Sequence, residues 1–132
     1  MVVEKKRSTF RMRRAVIAGL LFAGSATAAS AADTAGGQQI FKAQCGICHL
    51  VAAGVNSIGP TLFGVVGRSA GGVPGFQYTA DQKKLGVTWD AATLDKYLTN
   101  PRAMVPDTTM IYAGLKDDAD RTNLIAYLET LH

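Results

Sequence analysis

The sequence has few of the residues that usually build metal and redox sites. Its 132 residues include two cysteines, Cys45 and Cys48, and two histidines, His49 and the terminal residue His132. A structural zinc site takes four such ligands. The cysteine pair would supply half of one, and the only histidine besides His49 is the terminal residue. No stretch of useful length alternates apolar and polar residues, and strands are therefore not predicted.

The amino-terminal part of the chain has the composition of an export signal. It holds six of the 14 Lys and Arg residues, followed by a weakly apolar run from Ala15 to Ala29 and small residues that suit cleavage. A retained membrane anchor is the alternative, but spanning a bilayer takes about 20 strongly apolar residues. We predict a cleavable signal peptide over 1–31, with general secretion favoured over twin-arginine export.

The remaining segment, 32–132, is predicted to be one exported domain. From Asp33 onward the chain has 8 basic and 9 acidic residues. The pI of about 9.3 therefore reflects the basic residues of the amino-terminal segment. The near balance gives no support for nucleic acid or an anionic membrane as partner. We expect a monomer with no stable membrane insertion after the signal is removed.

The segment Cys45-Gly46-Ile47-Cys48-His49 is C-x-x-C-H, the attachment signature of a c-type haem. Cysteines three apart on a helical turn project to the same side, so both sulfurs can form thioethers with the two vinyl groups of one porphyrin. His49 would then lie beneath the iron as an axial ligand. We predict one covalently attached haem c.

Three other interpretations of the cysteine pair compete with this one. A redox-active pair needs a surrounding strand-helix-strand pattern, and a zinc site needs further ligands. In an oxidising compartment two cysteines also suit a structural disulfide. The histidine directly after Cys48 favours haem attachment over all three.

A six-coordinate haem iron needs a second axial ligand, and methionine paired with histidine raises the reduction potential. After the predicted signal peptide, the methionines that could be this ligand are Met104 and Met110. Met110 ends Pro106-Asp107-Thr108-Thr109-Met110, whose proline and small polar residues suit an irregular loop. We predict Met110 as the ligand, with Met104 as the alternative and core filling as the structural explanation of either.

From about Gly37 to Leu131 the sequence resembles the class I cytochrome c family, which includes mitochondrial cytochrome c and bacterial cytochromes c2. The resemblance is carried by separated blocks in the family's order: Gly37 to Phe41, Cys45 to His49, Gly59 to Leu62, Gly64 to Arg68, Phe76 to Thr79, Trp89, Tyr97 to Pro101 and Pro106 to Leu115.

The resemblance implies which residues line a haem pocket. The Pro60 carbonyl would accept the N–H of the ligand histidine, and Arg68, Tyr78 and Trp89 would donate to the haem propionates. The full set of implied pocket residues is Pro60, Arg68, Tyr78, Trp89, Tyr97 and Thr108. For the aromatic residues, a place in the ordinary core is the alternative.

Three departures from the family pattern bear on function. Asp107 stands where a glycine is common, and a local change in the loop is expected there. Gln82 replaces a frequent asparagine near the propionates. Lysines of the mitochondrial members are replaced by Gln44, Ala103 and Thr109, and this disfavours docking to a strongly acidic oxidase surface.

The resemblance implies an all-α fold, with three to five helices wrapped around one covalently bound haem. From the residues themselves, Asp90 is predicted to cap a helix that ends at Asn100-Pro101. Asp117 is predicted to start a final helix that packs on the first one through Leu124, Tyr127, Leu128 and Leu131. The glycine-rich stretch from Gly64 to Gly75 is predicted to be a surface loop.

The predicted function is electron transfer, not catalysis. The chain would carry single electrons in the periplasm as part of a respiratory or similar electron-transport chain. Its partners would dock at the exposed haem edge: a membrane cytochrome complex, an oxidase, a dehydrogenase or a reaction centre. The alternatives are a haem subunit of a dehydrogenase or oxidase complex, and a haem catalyst or sensor with a labile distal ligand.

Overall fold

The computed structural model of the chain describes residues 31–132, and the predicted signal peptide over 1–31 lies outside these residues except for its last one. The described part contains five α-helices, which confirms the all-α prediction. They are α1 (Thr34–Ile40), α2 (Ala80–Lys84), α3 (Ala91–Thr99), α4 (Pro101–Met104) and α5 (Asp118–Leu128), and α1 continues into a π-helical segment, Phe41–Cys45. Within 31–132 the β-pairing is limited to an isolated bridge between Ser69 and Thr88.

The longer helices begin at aspartates whose side chains accept backbone hydrogen bonds. The Asp90 carboxylate accepts the Thr93 N–H at 2.7 Å, and the Asp117 carboxylate accepts the Asp120 N–H at 2.9 Å. These contacts satisfy N–H groups that have no partner inside the helix. The predicted starts of α3 and α5 are confirmed.

The crossing of α1 and α5 forms the centre of the core. Gly37 is buried there, and a Cβ at this position would overlap the backbone carbonyl of Asn123. Leu124 is fully buried beside it, and the rings of Phe41 and Tyr127 lie 5.4 Å apart between centroids. The prediction that the final helix packs on the first is therefore confirmed.

Two boundaries differ from the prediction. Helix α5 ends at Leu128, so Leu131 packs against the core from beyond the helix end, where its carbonyl accepts the Gly64 N–H. Pro101 ends α3 as predicted but also begins the short helix α4, since the first helical position tolerates a residue without an N–H.

Arg121 joins three parts of the fold. It is 6% exposed, and its guanidinium donates to Asp95 of α3 at 2.8 Å and to the backbone carbonyl of Leu115 at 2.9 Å. It also donates to Asp118 at 2.6 Å. The hydrogen bonds to Asp95 and then to Asp118 raise the pKa of Arg121, so this side chain stays charged while it connects α3, α5 and the chain before α5.

The glycine-rich stretch is irregular, as predicted, but it is not confined to the surface. Val65 and Val73 are only 4% and 6% exposed and belong to the buried apolar residues. Gly67, with a φ of +87°, donates its N–H to the Trp89 carbonyl at 2.8 Å. This left-handed conformation is one that glycine adopts without strain, and it fixes the stretch against the segment before α3.

Candidate haem site

The two cysteines and the first histidine emerge from a single turn at the end of the π-helical segment. Cys45 is its last residue, and the backbone N–H groups of Cys48 and His49 both donate to the Cys45 carbonyl, at 3.0 and 2.9 Å. π-Helical turns inside helices occur frequently at functional sites, but the composition of Phe41 to Cys45 did not predict this one. The turn holds two sulfurs and one imidazole within one short segment.

The chemistry of the thiols disfavours a redox-active pair. Both cysteines are half-buried, and no disulfide joins them. Burial, and to a smaller extent the neighbouring Cys48, raises the pKa of the Cys45 thiol to about 11. A reactive disulfide-exchange cysteine needs a lowered pKa, so Cys45 is protonated at neutral pH and is not activated for that chemistry.

A zinc site is also disfavoured by the surroundings. Across 31–132, no group of three or more His, Cys, Asp or Glu side chains is arranged to hold a metal ion. The cysteine pair therefore has no partner ligands for a structural zinc site, which takes four.

The imidazole of His49 is oriented by the turn that follows it. Its Nδ1 lies 2.8 Å from the Pro60 carbonyl oxygen, the contact that the resemblance implied. A carbonyl only accepts, so Nδ1 carries the hydrogen and Nε2 keeps its lone pair for a metal. Such a hydrogen bond fixes the ring orientation and makes the ligand nitrogen more basic.

Gly59 allows the chain to lie directly against this ring. A Cβ at Gly59 would lie 2.6 Å from Nδ1 and 2.9 Å from Nε2 of His49, which is closer than atoms can approach. The Gly59 N–H also donates to the Cys48 carbonyl at 2.8 Å. A glycine is therefore required here by the close approach of backbone and imidazole.

Arg68 holds the turn after Pro60 in place. Its two terminal nitrogens donate to the backbone carbonyls of Thr61 at 2.8 Å and Phe63 at 2.9 Å. Burial lowers the pKa of Arg68, partly offset by Tyr78. The resemblance implied that Arg68 donates to a haem propionate. In the structure, two of its guanidinium nitrogens donate to the backbone of the turn after Pro60.

Asn56 supports the same turn, and sequence reasoning did not identify it. Its side-chain oxygen accepts the Thr61 N–H at 3.0 Å, while its amide nitrogen donates to the Pro74 carbonyl at 3.1 Å. The Thr61 hydroxyl donates to the Ala52 carbonyl at 2.8 Å. An asparagine in an irregular loop carries no signal in a single sequence that would reveal this role.

The aromatic residues of the implied pocket contact one another and nearby polar groups. The Tyr78 hydroxyl accepts the Val73 N–H at 3.3 Å, which leaves its own hydrogen free to donate, and burial raises the pKa of Tyr78. Trp89 and Tyr97 pack with ring centroids 4.8 Å apart. Burial also raises the pKa of Tyr97, and its contact with the Thr108 hydroxyl acts in the opposite direction.

Met110 lies in a segment that we call the strap, residues 105–115. Its ends are buried, since Val105 is 0% exposed and Leu115 is 8% exposed. Between them the chain has no helical structure, and the Thr108 hydroxyl accepts the Met110 N–H at 3.2 Å. Met104 is half-buried and ends the short helix α4, whereas Met110 is exposed and lies in the strap.

Asp107, where the family commonly has glycine, has no unusual backbone strain. Within 31–132 positive φ angles are confined to glycines, so Asp107 is not left-handed. Its carboxylate accepts the Asp81 N–H at 3.1 Å at the start of α2. Desolvation acts against ionisation, but hydrogen bonds from Asp81, Thr79 and Ala80 lower the pKa of Asp107.

The three most exposed large apolar side chains of residues 31–132 are adjacent in sequence to residues of the site. Ile47 is within the C-x-x-C-H turn, Ile58 precedes Gly59, and Ile111 follows Met110. They are 76%, 73% and 99% exposed, respectively. Exposed apolar side chains beside a functional site are typical of interaction surfaces.

The donor set fits a covalently attached haem. Two thiols suit the two vinyl groups, an oriented imidazole nitrogen and a thioether suit the iron, and a tyrosine O–H with a free hydrogen suits a propionate. Together with five helices in about 100 residues, this set defines a small all-α haem protein of the electron-transfer class.

Comparison with known proteins agrees with this class. The family model described as Cytochrome c matches residues 34–132. The chain is 49% identical over 115 residues to cytochrome c2 of Rhodomicrobium vannielii, covering 86% of this chain and 91% of that protein. It is 43% identical over 99 residues to cytochrome c of Euglena viridis, covering 75% and 97%, and 40% identical over 119 residues to cytochrome c2 of Blastochloris viridis, covering 89% and 93%.

The chain therefore belongs to the cytochrome c family. Its cofactor is covalently attached haem c, and it is an electron-transfer protein rather than an enzyme. The predicted fold class, cofactor and electron-carrier function are confirmed at this level.

Proposed function

We propose that the protein is an exported carrier that moves single electrons between redox complexes in the periplasm. The observation that carries the proposal is the orientation of His49 within the C-x-x-C-H turn. Its Nδ1 is held 2.8 Å from the Pro60 carbonyl, so Nε2 is left as the metal-binding nitrogen. A hydrogen bond of this kind from the other ring nitrogen is what orients a metal-ligating histidine in proteins.

We assign the cofactor contacts as follows. Cys45 and Cys48 form the two thioether bonds, and His49 and Met110 are the axial ligands of the iron. When bound, haem c supplies an iron that accepts and releases one electron. The chain holds His49 through Pro60 and Met110 through the strap, so neither ligand has to move far when the charge of the site changes.

The composition of the amino-terminal segment and the cytochrome c2 relatives support export. Basic residues followed by an apolar run at the amino terminus are typical of a signal peptide. Within 31–132, no helix is both long and apolar enough to cross a membrane. Cytochromes c2 are among the relatives that cover most of this chain. We propose that the mature protein is located in the periplasm.

The docking surface that we propose is apolar, with few charges. Ile47, Ile58 and Ile111 provide exposed apolar area beside the site, and Lys42 and Lys116 are among the nearest cations in sequence. Such a surface fits a membrane redox complex or reaction centre with an apolar contact region. It does not depend on a strongly acidic partner, because residues 31–132 carry 8 basic against 9 acidic side chains.

This surface predicts a weak salt dependence of electron transfer. Reduction by hexacyanoferrate(II), a small anion, should change less than about threefold between ionic strengths of about 0.01 M and 0.15 M, over which the screening length falls from about 30 Å to 8 Å. The variant Ala103→Lys/Thr109→Lys restores positive charge at two exposed positions. It should react faster at low salt and slow clearly as salt is added, and a steep dependence in the unmodified protein would contradict the apolar docking surface.

Exposure of the reduced protein to carbon monoxide separates the proposed carrier from a haem catalyst or sensor. A carrier with two protein ligands should bind carbon monoxide weakly or not at all and should titrate as a reversible one-electron couple. Rapid and complete binding would indicate an open distal position and overturn the carrier proposal.

Purification from the periplasmic fraction tests the remaining alternative. A free carrier should elute as a monomer of about the size of residues 32–132. Recovery in a fixed stoichiometric complex with a dehydrogenase or oxidase would instead identify the chain as a complex subunit.

A further inference from the structure

The strap that carries Met110 is anchored by contacts on both sides of this residue. On the carboxyl side, the Leu115 N–H donates to the Leu98 carbonyl at 2.8 Å, and the backbone of Gly114 lies against the carbonyls at the end of α3. These two contacts fix where the strap ends. The middle of the strap, from Asp107 to Tyr112, is held by side chains instead.

One side-chain contact joins the strap to the segment before the attachment cysteines. The Tyr112 hydroxyl donates to the Gln44 side-chain oxygen at 2.9 Å, across 68 residues of sequence. Tyr112 is half-buried and its ring packs against the core, so the hydroxyl is held by more than the hydrogen bond. Gln44 directly precedes Cys45, so this bond connects the two parts of the chain that would hold the haem.

A second contact lies on the other side of Met110. The Asp107 carboxylate accepts the Asp81 N–H at 3.1 Å, across 26 residues of sequence. It caps the first turn of α2, where backbone N–H groups otherwise lack partners. Asp107 and Tyr112 are therefore tied to different elements, and Met110 lies between them.

We infer that Gln44, Tyr112 and Asp107 are positioning residues that hold the strap closed and thereby set how readily Met110 leaves the iron. The inference rests on the proposed ligation by Met110. Opening the strap breaks both contacts, so each contact lowers the population of the opened state. A ligand that competes with Met110 binds only the opened state, and its apparent affinity is reduced in proportion to that population.

Titration of the oxidised holoprotein with imidazole measures this population. The weak near-red absorption of a methionine bound to ferric haem should disappear as imidazole replaces it. One hydrogen bond of ordinary strength corresponds to about a fivefold change in the opened population. We expect Tyr112→Phe, Gln44→Ala and Asp107→Ala each to bind imidazole about fivefold more tightly, and Tyr112→Phe/Gln44→Ala to match either single variant.

Conservative variants and a distant cap provide the controls. Gln44→Glu and Asp107→Asn keep an acceptor oxygen and should stay within about twofold of the unmodified protein, since the hydrogen bond is retained. Asp33→Ala removes the comparable cap of α1, where the Asp33 carboxylate accepts the Gly36 N–H at 3.0 Å, and should leave imidazole affinity unchanged. Hydrogen exchange of the amides in 107–112 should accelerate in Tyr112→Phe but not in Asp33→Ala.

The outcomes separate the inference from the proposal beneath it. If the unmodified protein lacks the near-red band, the assignment of Met110 as ligand is wrong, and the inference is lost with it. If the band is present but the Tyr112, Gln44 and Asp107 variants bind imidazole like the unmodified protein, the positioning role is overturned and the ligand assignment stands. Tighter binding in Asp33→Ala as well would indicate a general loss of stability and would also overturn the inference.

Discussion

Replacing Met110 with alanine is expected to leave the haem covalently attached and to lower its reduction potential. A thioether stabilises ferrous iron relative to ferric iron. Each tenfold loss of that preference corresponds to about 59 mV for a one-electron couple, so we expect a fall on the order of 100 mV or more. Potentiometric titration of the purified variant measures it, and added imidazole or azide should then bind readily.

Met104→Ala is the matched control, because it removes the other methionine of residues 31–132 from the end of α4. It should retain the potential and the ligand-binding behaviour of the unmodified protein. An unchanged potential in Met110→Ala would contradict the assignment. A fall in Met104→Ala instead would transfer the ligand role to Met104.

Gly37→Ala is expected to produce a large loss of stability from a single added methyl group. The new Cβ would overlap the Asn123 carbonyl and lie 3.0 Å from the Leu124 nitrogen. These are backbone atoms of α5 and cannot move aside without separating the two helices. Forcing atoms into a packed contact costs about 1–3 kcal/mol, which lowers the melting temperature by roughly 4–8 °C per kcal/mol in a domain of this size.

Gly46→Ala offers a control in the same part of the chain. A Cβ at Gly46 meets its nearest neighbour, the Lys42 carbonyl, at 3.4 Å, and the backbone there is right-handed helical. Alanine should be tolerated, with a change within about 1 kcal/mol that favours the folded state. Equal melting temperatures for Gly37→Ala and the unmodified protein would contradict the close crossing of α1 and α5.

Local chemistry made several features predictable from the sequence. Asp90 and Asp117 each stand at the start of a segment whose apolar residues recur at helical spacing. A short carboxylate at this position satisfies free N–H groups whatever the rest of the fold does. The C-x-x-C-H spacing determines the relative position of the two sulfurs, because one helical turn brings them to the same side. The contact between His49 and Pro60 was implied by resemblance to the family and is present at 2.8 Å.

Features that depend on distant parts of the chain were not predictable in the same way. Arg121 lies in a helix rich in aspartate, where a cation is usually exposed. In the structure it is buried among acceptors from α3 and from the chain before α5. The bond between Gln44 and Tyr112 joins residues whose proximity follows only from the complete fold. Asp107 was expected to alter its own loop, and its partner at the start of α2 could not be known, because α2 itself has no pattern long enough to predict.

The near-red absorption of the oxidised, exported protein tests the central claim most directly. Our account predicts the weak band of methionine sulfur bound to ferric haem in the unmodified protein, and its loss in Met110→Ala with the haem still attached. A covalent haem protein without this band would contradict the His49 and Met110 ligation on which the carrier proposal rests.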